Sequence, residues 1–164
     1  MSNVYTVSSP ATTIVADATL ICIRAATAVT SRGSTLEILR VSVGQHGTAV
    51  NQQLGIILGM KASAFGTFTA ATPAPHALNG VASGITGSTS VAAASAGVDA
   101  SAEGAGAVTN TIYDGFSNLN GYLWVPTPEE RIIVQPDITF IVKLVGTPTT
   151  LTSWDFYCTF RELS

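Results

Sequence analysis

The clearest pattern lies at the end of the chain. From Ser153 to Leu163 apolar and polar residues alternate, with Trp154, Phe156, Cys158 and Phe160 on one side and Asp155, Tyr157, Thr159 and Arg161 on the other. A period of two is that of a strand with one buried face. Further apolar runs predict strands over Asn3–Val7, Thr12–Val15, Ala18–Val29, Leu36–Val43, Gln52–Lys61, Thr109–Phe116, Tyr122–Val125, Arg131–Val134 and Ile138–Leu144. Within Ala18–Val29 both sides are apolar, Ile21 and Ile23 on one and Leu20 and Cys22 on the other, so the pattern leaves its facing open. Gly55 and Gly59 interrupt Gln52–Lys61, where a bulge or close packing is expected. No long window carries the i, i+3, i+4, i+7 spacing of an amphipathic helix.

Roughly eight strands separated by turn signals point to an all-β, antiparallel sandwich, of jelly-roll type if the strands form two Greek keys. In that topology the first and last core strands pair, which would bring Cys22 and Cys158 onto neighbouring strands. At 164 residues the chain suits a single domain, 1–164, with 1–17 as an N-terminal arm able to reach a neighbour.

The middle breaks the pattern. Of the 28 residues in Val81–Val108, 21 are Ala, Gly, Ser or Thr, and none is aromatic. Ordering a backbone costs about 1–2 kcal/mol per residue, whereas burying an alanine methyl returns only about 0.8 kcal/mol. The segment is therefore expected to be a long low-complexity loop, either mobile or laid along a neighbouring surface. On the second alternative, His76, Asn79, Ile85, Val91 and Val98 are candidate assembly contacts.

Composition sharpens this. Charged residues are 10% of the chain against 46% hydrophobic, whereas a soluble domain is usually about a quarter charged. A surface so short of charge tends to be covered by a partner. The seven basic residues are scattered and the net charge is −3, so the concentrated positive footprint of a nucleic-acid binder is missing. Met1–Pro10 has no signal-peptide pattern, and the aliphatic stretch Leu54–Met60 is too short to span a bilayer. A cytosolic site of synthesis is expected, and with it two buried, reduced cysteines.

Catalytic signals are weak. His46 and His76 both fall in loops, a poor match to the converging histidines of a cupin-type metal site. Gly104–Ala105–Gly106 lacks the third glycine of a dinucleotide fingerprint. Glu129–Glu130–Arg131 is the densest charge cluster, but adjacent residues in an extended segment point apart, unlike the opposed carboxylates of a glycosidase. Tyr113, Phe116, Tyr122 and Trp124 flank Asp114–Gly121. They leave a sugar-stacking platform open, although Trp124 and Phe116 are better read as core. Neither an enzymatic activity nor a cofactor is expected.

The stretch NLNGYLWVPTPEERIIV, Asn118–Val134, resembles small virion structural proteins of tailed bacteriophages: an aromatic strand, a proline-rich turn, an acidic pair, then an aliphatic strand. The following QPDITFIVKL, Gln135–Leu144, the SAEGAGAV ending of the small-residue segment and the terminal SWDFYCTFREL add to the likeness. It covers the second half of the chain and carries no catalytic signature. It implies a capsid decoration or cement protein, or another minor capsid component, often trimeric, assembled in the host cytoplasm. The expected partners are a major capsid protein or other virion proteins, without nucleic acid or membrane. The competing readings are a carbohydrate-binding β-sandwich of a phage fibre or adhesin, and a cupin-type enzyme.

Overall fold

The computed structural model describes residues 3–14, 17–27, 32–47, 50–63, 65–77, 80–90, 92–146 and 152–163. In chain order the strands are β1 (Val4–Thr12), β2 (Ala18–Arg24), β3 (Leu36–Gln45), β4 (Gln53–Lys61), β5 (Thr67–Ala70), β6 (Ala74–Pro75), β7 (Thr86–Gly87), β8 (Ser95–Ala102), β9 (Thr109–Ser117), β10 (Tyr122–Trp124), β11 (Ile133–Val134), β12 (Thr139–Val145) and β13 (Trp154–Glu162). Among the described residues the one helical element is a single 3-10 turn, Pro128–Glu130.

The strands form two sheets, a β-sandwich. Sheet A has the order β10-β3-β13-β1-β6, with β11 also on β3; sheet B has the order β5-β8-β2-β12-β4-β9, with β7 also on β8. All pairings are antiparallel except the short β7–β8 contact. The strand that pairs with the last one is β1, Val7 opposite Cys158, from within the stretch expected to be an arm, and not β2, the strand of Cys22. The cysteine expectation is therefore corrected. Cys158 lies on β13 in sheet A and Cys22 on β2 in sheet B, so their strands are in different layers.

The alternation of β13 decides what faces the core. Trp154, Cys158 and Phe160 have no solvent exposure, and Phe156 is all but buried. Tyr5 and Val7 on β1 and Ile38, Val41 and Val43 on β3 complete the inner side of sheet A, against Ile56, Leu58, Phe140, Val142 and Leu144 of sheet B. β2 resolves its ambiguous facing by a bulge. Thr19 pairs with Lys143 and Ile21 with Val142, which makes Leu20 the extra residue. The kink lets Leu20, Ile21 and Ile23 all enter the main core. Cys22 turns to the outer face of sheet B, where it forms a second small core with Ile141, Phe65 and Phe68.

The small-residue segment is the main departure from expectation. Ser95–Ala102 is a strand, not a loop, and pairs with β2 on one side and β5 on the other. Its small side chains are a packing requirement: a Cβ on Gly97 would lie 2.6 Å from the Cβ of Phe68. The connection 62–108 between β4 and β9 thus crosses the molecule. It adds β6 to the β1 edge of sheet A and β8 with β5 to the β2 edge of sheet B. One flank of the sandwich is bordered by this segment, and the order it needs comes from the chain's own sheets.

Two carboxylates pin that segment. At its start, Glu162 on β13 is in the inward phase of the strand, with its side chain wholly buried. Its Oε1 accepts the Ser83 hydroxyl at 2.5 Å and the Gly84 N–H at 2.8 Å. Arg32 reaches Oε2 at 3.5 Å and also donates to the Tyr5 hydroxyl at 2.7 Å, which in turn donates to the Val81 carbonyl at 3.0 Å. At its far end Glu103 accepts the Thr19 hydroxyl at 2.6 Å and Lys143 Nζ at 3.0 Å. The buried Lys61 donates to the Glu103 carbonyl at 2.8 Å and lies 4.2 Å from the centre of the Phe65 ring. These bonds close the strand over the second core.

Candidate interaction surface

With the β1/β2 flank bordered, the opposite flank is formed by β9 in sheet B and by β10 and β11 in sheet A. The sequence explains the difference between these two edges. In sheet A the edge is broken: β10 and β11 pair with separate parts of β3, and Val125–Ile132, with Pro126 and Pro128, bulges away between them. Proline cannot donate to a ladder and ends it. There Glu130 folds back on Thr127, accepting its hydroxyl at 3.2 Å, and Arg131 donates to Glu37 at 3.1 Å. The acidic pair is a capped turn, not an opposed carboxylate site.

In sheet B the edge is a single strand with a bulge at Thr111, the extra residue between the Leu58–Ile112 and Gly59–Asn110 pairs. β9 runs nine residues, TNTIYDGFS, with neither proline nor a basic residue. Its inner side is fastened by Phe116, which is buried against Tyr122 with ring centres 5.8 Å apart. Its outer side is open: Tyr113 is 65% exposed, and on the same flank Leu123 and Val125 are 58% and 62% exposed. Tyr113 and Leu123 are in the phase opposite to buried Phe116 and Tyr122, so each faces outward from its own sheet. Burial holds the Tyr122 hydroxyl above the usual tyrosine pKa, and the Asp114 charge adds to that.

Tyr113 lies across Gly55, whose Cβ position is 3.1 Å from the Tyr113 hydroxyl oxygen. Gly55 and Gly115 are directly paired. Their missing side chains leave a shallow depression of about 340 Å³ walled by Tyr113, Gln53 and Asp114.

The candidate contacts read from the sequence fare differently. His76 is exposed, and its Nε2 lies 2.6 Å from the Thr6 hydroxyl beside β1. Ile85 and Val98 are corrections: both are buried in the main core, 1% and 3% exposed, so they are not on the surface offered to a partner. Asn79 and Val91 lie outside the described residues. His46 pairs with Asp155 at 2.8 Å, far along the chain from His76, and no group of three potential metal ligands occurs among the described residues. Both cysteines are free and buried. Burial raises the thiol pKa of each, and at Cys22 the nearby Lys61 and Arg24 only partly oppose it.

The apolar run marks β9 as a strand but not as the open edge. Strand order decides that, and the available signal was negative: no proline and no lysine in the run. Comparisons with protein-family models, with curated proteins and with solved structures give no match.

Proposed function

We propose that this chain is a structural protein of an assembly, the virion component that the resemblance implies, and that it works by packing its open flank against other subunits. Its strand order, β10-β3-β13-β1 facing β9-β4-β12-β2, reads as a jelly roll elaborated by the 62–108 insertion. That fold is shared by capsid proteins, lectins and cupins, so it does not choose among them. The observation that carries the choice is the contrast between the two flanks. One is bordered by short strands of the inserted segment, while the other ends in sheet B with β9, nine residues with a bulge at Thr111, and carries exposed Tyr113 on sheet B and exposed Leu123 on sheet A. Open edges of that length template pairing with another chain unless they are guarded.

A second reading, a carbohydrate-binding module, draws on the Tyr113 ring beside the Gly55–Gly115 depression, with Gln53 and Asp114 as polar groups. One exposed ring makes a smaller stacking platform than the flank makes a packing surface. The test is quantitative mass spectrometry of purified particles from cells that produce the protein. A fixed copy number per particle is expected. Recovery outside particles only, with selective retention on a glycan array, would replace the proposal with the second reading.

A further inference from the structure

Beyond the packing role just proposed, we infer that the depression beside Tyr113 is a binding site for one ring of a neutral saccharide. The β9 residues that form it lie past the bulge at Thr111, where β9 and β4 keep one register: Ile57 opposite Tyr113, Gly55 opposite Gly115 and Gln53 opposite Ser117. Leu54, Ile56 and Phe116 are buried, so Gln53, Gly55, Tyr113 and Gly115, in the other phase, face out from sheet B. The site is thus on the sheet face, and a subunit docked at the β9 edge does not cover it. The two glycines differ. The place above Gly55 is taken by the Tyr113 ring, whose hydroxyl oxygen and Cζ would lie 3.1 Å and 3.4 Å from a Cβ there. Neither packing nor backbone angle asks for glycine at 115. Its backbone is not left-handed, and a Cβ would meet the Leu54 carbonyl oxygen at an ordinary 3.8 Å. Glycine inside a strand weakens it, and often marks a close approach by a ligand or another backbone.

The lining selects the occupant. The depression holds about 340 Å³, at the small end of ligand sites, which run from about 300 to 1,000 Å³. Tyr113, 65% exposed, presents an aromatic face whose negative quadrupole attracts C–H bonds pointed at it. Gln53 can donate and accept, and the Asp114 carboxylate accepts. The Gly115 N–H donates to Asp114 Oδ1 at 2.8 Å and holds that carboxylate at the rim. None of the lining residues is basic, so a phosphate or a carboxylate meets no counter-charge there. A hexose fits this set, with an apolar C–H face for the ring and a belt of hydroxyls for the amide and the carboxylate. An apolar side chain from a neighbouring subunit would fill the space but leave Gln53 and Asp114 unmatched.

The full chain is followed by amide-resolved NMR while maltotriose, cellotriose or N-acetylated chitotriose is added. Concentrations run to about 20 mM, well above the Kd of about 1 mM that a ring of about twelve non-hydrogen atoms can reach. At least one of these sugars is expected to shift the Gly55, Tyr113 and Gly115 amides to saturation. Tyr113→Ala weakens that binding about tenfold. Gly115→Val fills the depression with a residue that strands favour, so binding is lost while the melting temperature stays at or above the parent's. The inference is overturned if every sugar leaves those amides unmoved, or if Gly115→Val folds and binds as the parent does. Should Gly115→Val not fold, Tyr113→Ala decides, and unchanged binding there overturns it equally. Binding together with a fixed copy number in particles supports the site and the packing role. Binding by a chain absent from particles keeps the site and removes the packing role, and a fixed copy number without binding does the reverse.

Discussion

Replacing Glu162 with alanine tests how the small-residue segment is held. In the native protein the Glu162 side chain is fully buried, and one of its oxygens accepts bonds from the Ser83 hydroxyl and the Gly84 N–H. Gly84 is packed closely against Arg32, whose carbonyl oxygen a Cβ there would meet. Hydrogen bonds to a charged group contribute about 1.5–3 kcal/mol each. The Arg32 side chain is 41% exposed and 3.5 Å away, so water screens that pair and it adds little. Glu162→Ala is therefore expected to cost about 3–5 kcal/mol, the range for stranding the partners of a buried charge. Glu162→Gln keeps an acceptor oxygen and is expected to cost about 1 kcal/mol, the net worth of a typical hydrogen bond. Urea denaturation read by tryptophan fluorescence measures both, and hydrogen exchange locates the damage. Amides of Gly84 and Ile85 should lose protection before those of β13. If Glu162→Ala falls within about 1 kcal/mol of the parent, or leaves Gly84 protection unchanged, the carboxylate does not anchor the segment.

Acid should loosen the other anchor. At Glu103 burial pushes the pKa up, but hydrogen bonds from Thr19 and Lys143 and the charges of Lys143 and Lys61 outweigh it, so the group sits below the ordinary glutamate value. A carboxylate depressed on folding contributes stability above its unfolded pKa of about 4.3 and loses it as pH falls through the folded value. Melting temperatures taken from neutral to pH 3 should drop more steeply below about pH 4.3 for the parent than for Glu103→Gln; equal slopes would refute this. The Glu37 carboxyl, also held low against its burial by Arg131 and Arg161, should behave likewise. Neither Cys22 nor Cys158 should react with a thiol reagent in the native state, and both should react in denaturant; rapid native labelling of Cys22 would mean that Phe65 and Phe68 do not cover it. Trp154→Ala should cost about 3–5 kcal/mol by calorimetry or urea, as for a large core aromatic, and a loss below about 1 kcal/mol would contradict its burial.

What the sequence made legible was the part of the fold that depends on large side chains. β13 shows its facing in every second residue because Trp154, Phe156 and Phe160 fill the core. β8 left no such trace. It is fitted beneath Phe68 by having nothing at Gly97, so its selection is for smallness, which in sequence looks like an absence of pattern. The segment's own methyls return too little to order it, but β8 pairs its backbone with β2 and β5. The Leu20 bulge was equally hidden, since strict alternation assigns Leu20 and Cys22 to one side. The anchors did leave signals. Glu162 continues the inward phase of Trp154 to Phe160, where a carboxylate demands buried donors, and Glu103 stands among residues with no other use for a charge. The open flank was the least legible, because edge position belongs to strand order and not to any residue in β9.

The border that residues 62–108 place on one side of the sandwich limits how such a molecule can multiply. A body adhesive at both ends of its sheets would add copies without end and make a fibril. With the short strands β5 and β6 at that side, this one has little ladder there for a further copy to extend.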